Sequence, residues 1–192
     1  MQIIDIIDKN KSVVVLSSYR TGSTAFCDLI ANNIGAINLL EFFHPANLSQ
    51  GYNEIWQLRS SKIVVKIQPD HLDHVGMYWN ELFQNSTIIG LFRRNVLEQI
   101  ASYYVCHMVD RWHETKDIVQ NLDYTVAIDP DQISNAAKYI LDMNLRLSKI
   151  ENLMQHKMYY EDIESTLSTS NFVRFQKPTN YDEVKKLVQR HL

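Results

Sequence analysis

Along the first half of the chain, short apolar runs with no internal alternation are each followed by a polar break and then by residues at helical spacing. Ser12 to Leu16 is a continuous β-branched and aliphatic run, which predicts a strand covered on both faces, as in a parallel sheet. Small and polar residues fill Ser17 to Gly22. Ser23 to Asn33 then predicts a helix with Phe26, Leu29 and Ile30 on one face. After Gly35, Ala36 to Leu40 predicts a second strand that runs into Glu41, Phe42, Phe43 and His44 and stops at Pro45. Lys62 to Ile67, stopped by Pro69, is a third, and Thr87 to Phe92, followed at once by Arg93 and Arg94, is a fourth. Asn95, three residues before Glu98, matches an amino-terminal cap for a helix whose apolar face carries Val96, Ile100, Tyr103 and Tyr104. Asp110 to Asp131 is polar and without period, which predicts a loop or lid holding a short helix. Ile133, Ala137, Ile140, Leu141, Leu147 and Met154 mark a long amphipathic helix, Met158 to Tyr160 a short strand, and Tyr181 to His191 a closing helix.

Strands alternating with helices predict one α/β domain over residues 1–192, three layers deep, with a central, mostly parallel sheet flanked by helices and right-handed crossovers. Sites in such sheets lie beyond the carboxyl ends of the strands. Four polar clusters fall there: Tyr19 to Thr24, Glu41 to His44, Lys66 to Gln68, and Arg93 to Asn95.

Composition narrows the functional classes. With 192 residues, 45% hydrophobic and 21% charged, the chain has room for a real core. A net charge of -3 gives no global attraction to nucleic acid, so an anion site must be built from locally placed cations. The first ten residues contain Asp5 and Asp8 and lack a basic n-region before a long apolar stretch, and no run of about 18 apolar residues occurs. The expectation is a chain that is neither secreted nor membrane-spanning. Cys27 and Cys106 have no CxxC or Cys/His spacing, so two buried reduced thiols in a cytoplasmic protein are expected.

Ser17-Ser18-Tyr19-Arg20-Thr21-Gly22-Ser23-Thr24 turns from a buried strand into a helix whose first amides lack internal partners, a turn that suits oxyanions. Gly22 allows close backbone approach, Ser23 and Thr24 add hydroxyls, and Arg20 adds a forked cation. The ATP-binding form GxxxxGK[ST] is not matched, because Ser23 follows Gly22 and the first glycine is missing. A basic residue two positions before the glycine, with Ser and Thr after it, instead resembles the 5′-phosphosulfate loop of sulfotransferases that use 3′-phosphoadenosine 5′-phosphosulfate (PAPS). The string SYRTGST resembles bacterial trehalose-sulfating members in particular. A second, separated match is Arg94-Asn95-Val96-Leu97-Glu98-Gln99-Ile100-Ala101-Ser102-Tyr103-Tyr104, which resembles the family's 3′-phosphate segment, an arginine at a strand end and a serine eight residues on. Tyr160-Glu161-Asp162 resembles a short strand-end motif of the family. Phe175-Gln176-Lys177 stands where the family has a loop over the 3′-phosphate, without its usual Arg-Lys-Gly.

The resemblance implies a P-loop-like fold and transfer of the sulfuryl group of PAPS, leaving PAP, to a hydroxyl of a small-molecule or carbohydrate acceptor, with no metal, nucleic acid or membrane partner. Carried over residue by residue, it implies that Arg20, Thr21, Gly22, Ser23 and Thr24 hold the 5′-phosphosulfate, and that Arg94, Ser102 and Lys177 hold the 3′-phosphate. Arg93 is an alternative to Arg94. Glu41 stands for the general base, Lys66 for the cation that assists the leaving group, and Arg20 for charge on the bridging oxygen. The animal Lys-Thr-His triplet is here Lys66-Ile67-Gln68, which keeps the lysine and lacks the histidine; His44, His71 and His74 are substitutes for the base. Phe42, His44 and Tyr104 are candidate acceptor contacts, within a wider aromatic group of Phe43, Trp56, Tyr78, Trp79, Tyr103 and His107. Two other readings compete: a nucleotide-dependent phosphotransferase with a degenerate loop, and a noncatalytic nucleotide-binding protein. The phosphotransferase would want a lysine after Gly22 and an aspartate closing an apolar strand.

Overall fold

The structure is a computed structural model, and it describes residues 7–44, 61–72, 82–110, 112, 123–169 and 176–192. Pro45, Trp56, His74, Tyr78, Trp79 and Phe175, together with most of the segment between 110 and 122, lie outside the described residues. Five strands form one sheet: β1 (Ser12–Ser17), β2 (Ile37–Leu40), β3 (Ile63–Ile67), β4 (Ser86–Phe92) and β5 (His156–Tyr159). Their order is β2-β3-β1-β4-β5, and every neighbouring pair is parallel. Among the described residues the helices that frame the sheet are α1 (Ser23–Ile34), α2 (Val96–Val109), α3 (Pro130–Lys149), α4 (Tyr160–Ile163) and α5 (Tyr181–Gln189).

The two faces of β1 explain its uniform run of apolar residues. Val13 and Val15 pack with Phe26 and Ile30 of α1, whereas Val14 and Leu16 pack with Phe43, Phe83 and Leu147 of α3. Every residue from Val13 to Ser17 is buried, so alternation would leave a polar side chain in a core. A third apolar cluster joins α2, α3 and α5 through Ile100, Val105, Ile140, Val184 and Val188. β1 therefore lies between two helical layers, as the sequence pattern predicts.

Several boundaries differ from the sequence reading, each for a local reason. The long helix begins at Pro130, where Asp129 accepts from the amides of Asp131 and Gln132. A proline in the first helical position after such a cap is a start signal inside what reads as a loop. The same helix ends at Lys149, and Met154 follows a separate 3₁₀ turn. β5 starts at His156, two residues earlier than expected, and Tyr160 opens α4 instead of closing the strand. The closing helix ends at Gln189 rather than His191.

Because β1 sends the chain through α1 to β2 on one side, while β3 sends it past β1 to β4 on the other, the sheet has a switch point beside β1. The loop after β1 opens there.

Candidate active site

The loop between β1 and α1 has two left-handed residues, Arg20 (φ 56) and Gly22 (φ 75). Left-handed residues in such a turn aim backbone amides at one point and make an anion-binding concavity. Gly22 is the cap residue of α1, and as a glycine it has no side chain to cap the helix's first amides. A Cβ at residue 22 would lie 2.6 Å from two ring carbons of Tyr160, so the loop touches α4 at a place only glycine fits.

Side chains from distant elements hold this loop. Thr21, fully buried, donates its hydroxyl to the Ser18 carbonyl at 3.0 Å. Gln99 of α2 donates to the Tyr19 carbonyl at 2.6 Å and to the Ser18 hydroxyl at 3.3 Å, and is itself paired with Asn144 of α3. Arg93 donates to the Arg20 carbonyl at 2.7 Å. Arg20 donates from Nε to Ser102 Oγ at 3.0 Å and from Nη1 to the Trp112 carbonyl at 2.8 Å. Ser23, the first residue of α1, is buried behind the loop.

The carboxyl ends of β2 and β3 supply the opposing charges. Lys66, with a side chain only 3% exposed, forms an ion pair with Glu41 and donates to Thr24 Oγ1 at 2.8 Å. A buried lysine needs such partners, because a lone ammonium out of water is costly. Glu41 is brought in by an irregular strand end: the register of β2 on β3 shifts between Asn38 and Leu40, and Leu40 takes a left-handed φ of 49. Phe43 is buried under the turn with Phe42 edge-on to it at 5.4 Å. Thr24, Glu41 and Lys66, three sequence candidates from three elements, thus meet in one chain of contacts.

Beyond β3 lies a second polar group. Tyr19 and Tyr139 both donate to Asp70 Oδ2, at 3.0 and 2.8 Å. Burial first, and the Asp70 charge with it, push both phenols well above the usual range, so they remain protonated. His71 has no exposed surface, and neither ring nitrogen has a hydrogen-bond partner. Its ring meets that of His44 edge-on at 5.2 Å. Burial lowers its pKa to about 4, against the opposing pull of Asp70 and Glu41 and with help from His44 and Lys66.

A depressed histidine binds its proton less well folded than unfolded, so the stability it contributes is present above the unfolded value and lost as the pH falls toward about 4. Melting curves of wild type and His71→Gln between those limits should converge at the acid end, the wild type losing up to about 3 kcal/mol more. Parallel pH profiles would show that His71 does not titrate as argued.

At the start of α2 the two adjacent arginines part. Arg94, expected as a 3′-phosphate ligand, is half exposed, donates to both Asp162 oxygens at 2.6 and 2.7 Å, and lies over the Tyr159 ring at 4.0 Å. Its side chain and that of Ser102, which accepts from Arg20, have different protein partners. Arg93 turns inward over the Tyr160 ring at 4.8 Å; its Nε is buried without a partner, and burial lowers its pKa. The position next to the strand end, not the match to a motif, decides which arginine is covered. Glu161 accepts from the amides of Arg94 and Asn95, which outweigh burial and lower its pKa.

Lys177 pairs with Glu98 in the first turn of α2 at 2.5 Å and lies over the Tyr181 ring at 4.5 Å. Burial alone would raise the Glu98 carboxyl, but Lys177 holds it below its ordinary value. Tyr104 corrects the sequence reading. Its ring has no exposed surface and sits in the core between α2 and α3, with its hydroxyl donating to the Ala127 carbonyl and accepting from the Asp129 amide. Tyr103, its neighbour, packs with Tyr19, Tyr139 and Trp112 beside the loop.

Gln99, Asp70 and Tyr139 were not singled out by sequence reasoning. For Gln99 a signal existed: it stands three residues after Val96 and four before Tyr103, a polar residue on an apolar face, where burial demands partners. Among the described residues no three His, Cys, Asp or Glu side chains are grouped as a metal site, and no helix is long and apolar enough to cross a membrane.

No family model matches the chain, and no curated protein matches it. Among solved structures it is similar to mouse sulfotransferase SULT7A1 complexed with PAP, with a TM-score of 0.48 and 14% identity over 98% of this chain and 68% of that one. It is also similar to retinol dehydratase in a complex with retinol and PAP, with a TM-score of 0.42 and 12% identity over 98% of this chain and 66% of that one.

Proposed function

We propose that the protein is a sulfotransferase that moves the sulfuryl group of PAPS to an acceptor hydroxyl. The observation that carries this reading is the meeting of an anion-binding loop with a buried lysine and a carboxylate, Thr24, Lys66 and Glu41, at the carboxyl edge of a parallel sheet. Sulfuryl transfer needs an in-line nucleophile, a base for its proton and positive charge on the oxygen that departs. The amides behind Gly22, with Arg20, Thr21, Ser23 and Thr24, hold the 5′-phosphosulfate. Lys66 and Arg20 supply charge to the leaving oxygen, and Glu41 takes the proton. Phe42 and His44, next along the chain, face the acceptor.

For the 3′-phosphate, Ser102 and Lys177 remain candidates, and Arg93 is preferred to Arg94 as the arginine that joins them. Arg93 is covered, carries an unpaired Nε and already grips the loop, whereas the Arg94 fork is occupied by Asp162. The unpartnered, neutral imidazole of His71 favours a second assignment for the base, with the same reaction.

The test is a thermal melt with PAP, 5′-AMP and Mg-ATP, with EDTA in parallel samples. PAP at 100 times its dissociation constant should add about 2.7 kcal/mol of stability with or without EDTA. 5′-AMP and Mg-ATP should shift the melt much less. Arg93→Ala should lower PAP affinity about tenfold or more and 5′-AMP affinity less, the smaller loss coming from the loop that Arg93 holds, while Arg94→Ala changes neither. A largest shift from Mg-ATP, abolished by EDTA, would replace the sulfotransferase with a phosphotransferase.

A further inference from the structure

Both hydrogen-bond donors to Asp70, Tyr19 and Tyr139, are neutral phenols, and among the described residues no lysine or arginine pairs with its carboxylate. We propose that Asp70, walled by Tyr19, Tyr103, Tyr139 and Trp112, seats a ligand ammonium, so that the sulfuryl acceptor is an alcohol or phenol that also carries a protonated amine. This names the acceptor class of the sulfotransferase reading and rests on that reading for the reaction, though not for the binding.

The carboxylate lies just past the carboxyl end of β3, in a turn closed by the His71 amide donating to the Gln68 carbonyl. A carboxylate taken out of water needs a counter-charge or a full set of donors. Here the two phenols meet Oδ2, while Oδ1 is buried with no hydrogen-bond partner. The basic side chain next to it is His71, whose Nε2 lies 3.9 Å from Oδ1. Burial lowers the pKa of that ring to about 4 although Asp70 pulls the other way, so at neutral pH it brings no charge. Arg146 reaches the same turn, with its Nη2 donating to the Pro69 carbonyl at 2.9 Å. The fold thus solvates the Asp70 charge and does not neutralise it. The side chain keeps 30% of its surface open, which leaves a ligand a way in.

The wall beside it suits a cation. Tyr19 meets Tyr139 and Tyr103 at 5.6 and 5.7 Å, and Tyr103 meets Tyr139 and Trp112 at 5.4 and 5.5 Å. All four rings are only partly buried. Ring faces attract ammonium groups, and a carboxylate at their foot adds a full opposite charge. A neutral polyol can lie on the same rings, but it leaves the Asp70 charge uncompensated. The place is also right. Tyr19 precedes Arg20 in the loop proposed to hold the phosphosulfate, and Asp70 follows Lys66 by four residues, a span of at most about 14 Å. An ammonium at Asp70 and a hydroxyl near Lys66 therefore fit within one small molecule. The anionic donor offsets the repulsion between that ammonium and the cations of Arg20 and Lys66.

Two matched pairs of probes test this on the full chain near neutral pH, with and without PAP: tyramine against tyrosol, and glucosamine against glucose. Within each pair an ammonium replaces a hydroxyl on the same skeleton. In at least one pair the ammonium member should bind the wild type about tenfold or more tightly. Asp70→Asn keeps an oxygen for both phenols and loses the charge. Its preference should fall below about twofold, with the neutral members bound as by the wild type. Tyr139→Phe keeps the ring and the charge and should retain the preference, which separates recognition from a structural role of the Asp70 hydrogen bonds. If Asp70→Asn misfolds, the wild-type pairs and Tyr139→Phe decide. Absence of an ammonium preference in both wild-type pairs overturns the proposal, as does a preference that survives Asp70→Asn. Failure of PAP to bind a wild type that still prefers the ammonium would instead overturn the nucleotide reading and leave the ammonium site standing.

Discussion

Glu41→Gln is expected to lower turnover about a hundredfold or more, the usual scale for losing a general base, in a protein that still folds and binds PAP. The amide keeps the shape of the carboxylate and can still meet Lys66 through its oxygen, so packing around Phe42 and Phe43 should survive. What it lacks is a basic oxygen. The measurement is PAP release from PAPS with the acceptor that gives the wild type its highest rate, compared with His71→Gln under the same conditions. The two variants separate the candidate bases. A loss confined to Glu41→Gln keeps the role there, and a loss confined to His71→Gln moves it to the imidazole. Full activity in both would leave proton removal to water and would remove the chemical part of the proposed function.

Gly22→Val should cost both stability and nucleotide binding. Valine at φ 75 is strained by about 1–3 kcal/mol, and its side chain would start 2.6 Å from the Tyr160 ring, adding an overpacking cost of about 1–3 kcal/mol. For a domain of this size such a sum lowers the melting temperature by roughly 10 °C. PAP binding should be lost beyond about a hundredfold, because the amides behind residue 22 turn away from their common point. Pairing it with Tyr160→Ala should recover part of the melting temperature and none of the binding. Recovery of both would mean that the ring contact, and not the backbone, governs the loop.

How much of this was readable in the sequence depends on how local each cause is. The strands announce themselves, because β1, β3 and β4 are buried on both faces and are apolar through their middles, with polar residues such as Ser17, Lys66 and Ser86 at or near their ends. The cap at Asn95 follows the same logic, with its side chain accepting from the Glu98 amide. Glu41, Lys66 and Thr24 were all named as site residues, yet nothing in their spacing says that one ammonium serves both others. That contact depends on β3 lying between β2 and β1. The choice between Arg93 and Arg94 was open for a similar reason: only the fold shows that Arg93 turns inward over Tyr160 while Arg94 pairs with the exposed Asp162. Tyr104 misled because an aromatic beside a motif is equally suited to a pocket wall and to a core, and here α3 closes over it. Asp70 carries no motif, and its role as the shared acceptor of Tyr19 and Tyr139 comes from a partner on a helix far along the chain.

The loop proposed to receive the anion is encoded near the amino end, yet its fastenings are not. Arg93, Gln99 and Ser102 on or beside α2, Trp112, and the Tyr160 ring against Gly22 all come later. During synthesis, when chains emerge from the amino end, this segment is therefore made early and finished late. A nascent chain that has released β1 and α1 has the loop's sequence without its shape, and no fragment ending before residue 160 contains the surface against which Gly22 is packed. Any attempt to cut a minimal module around this loop must therefore keep the carboxyl-terminal segment that carries Tyr160.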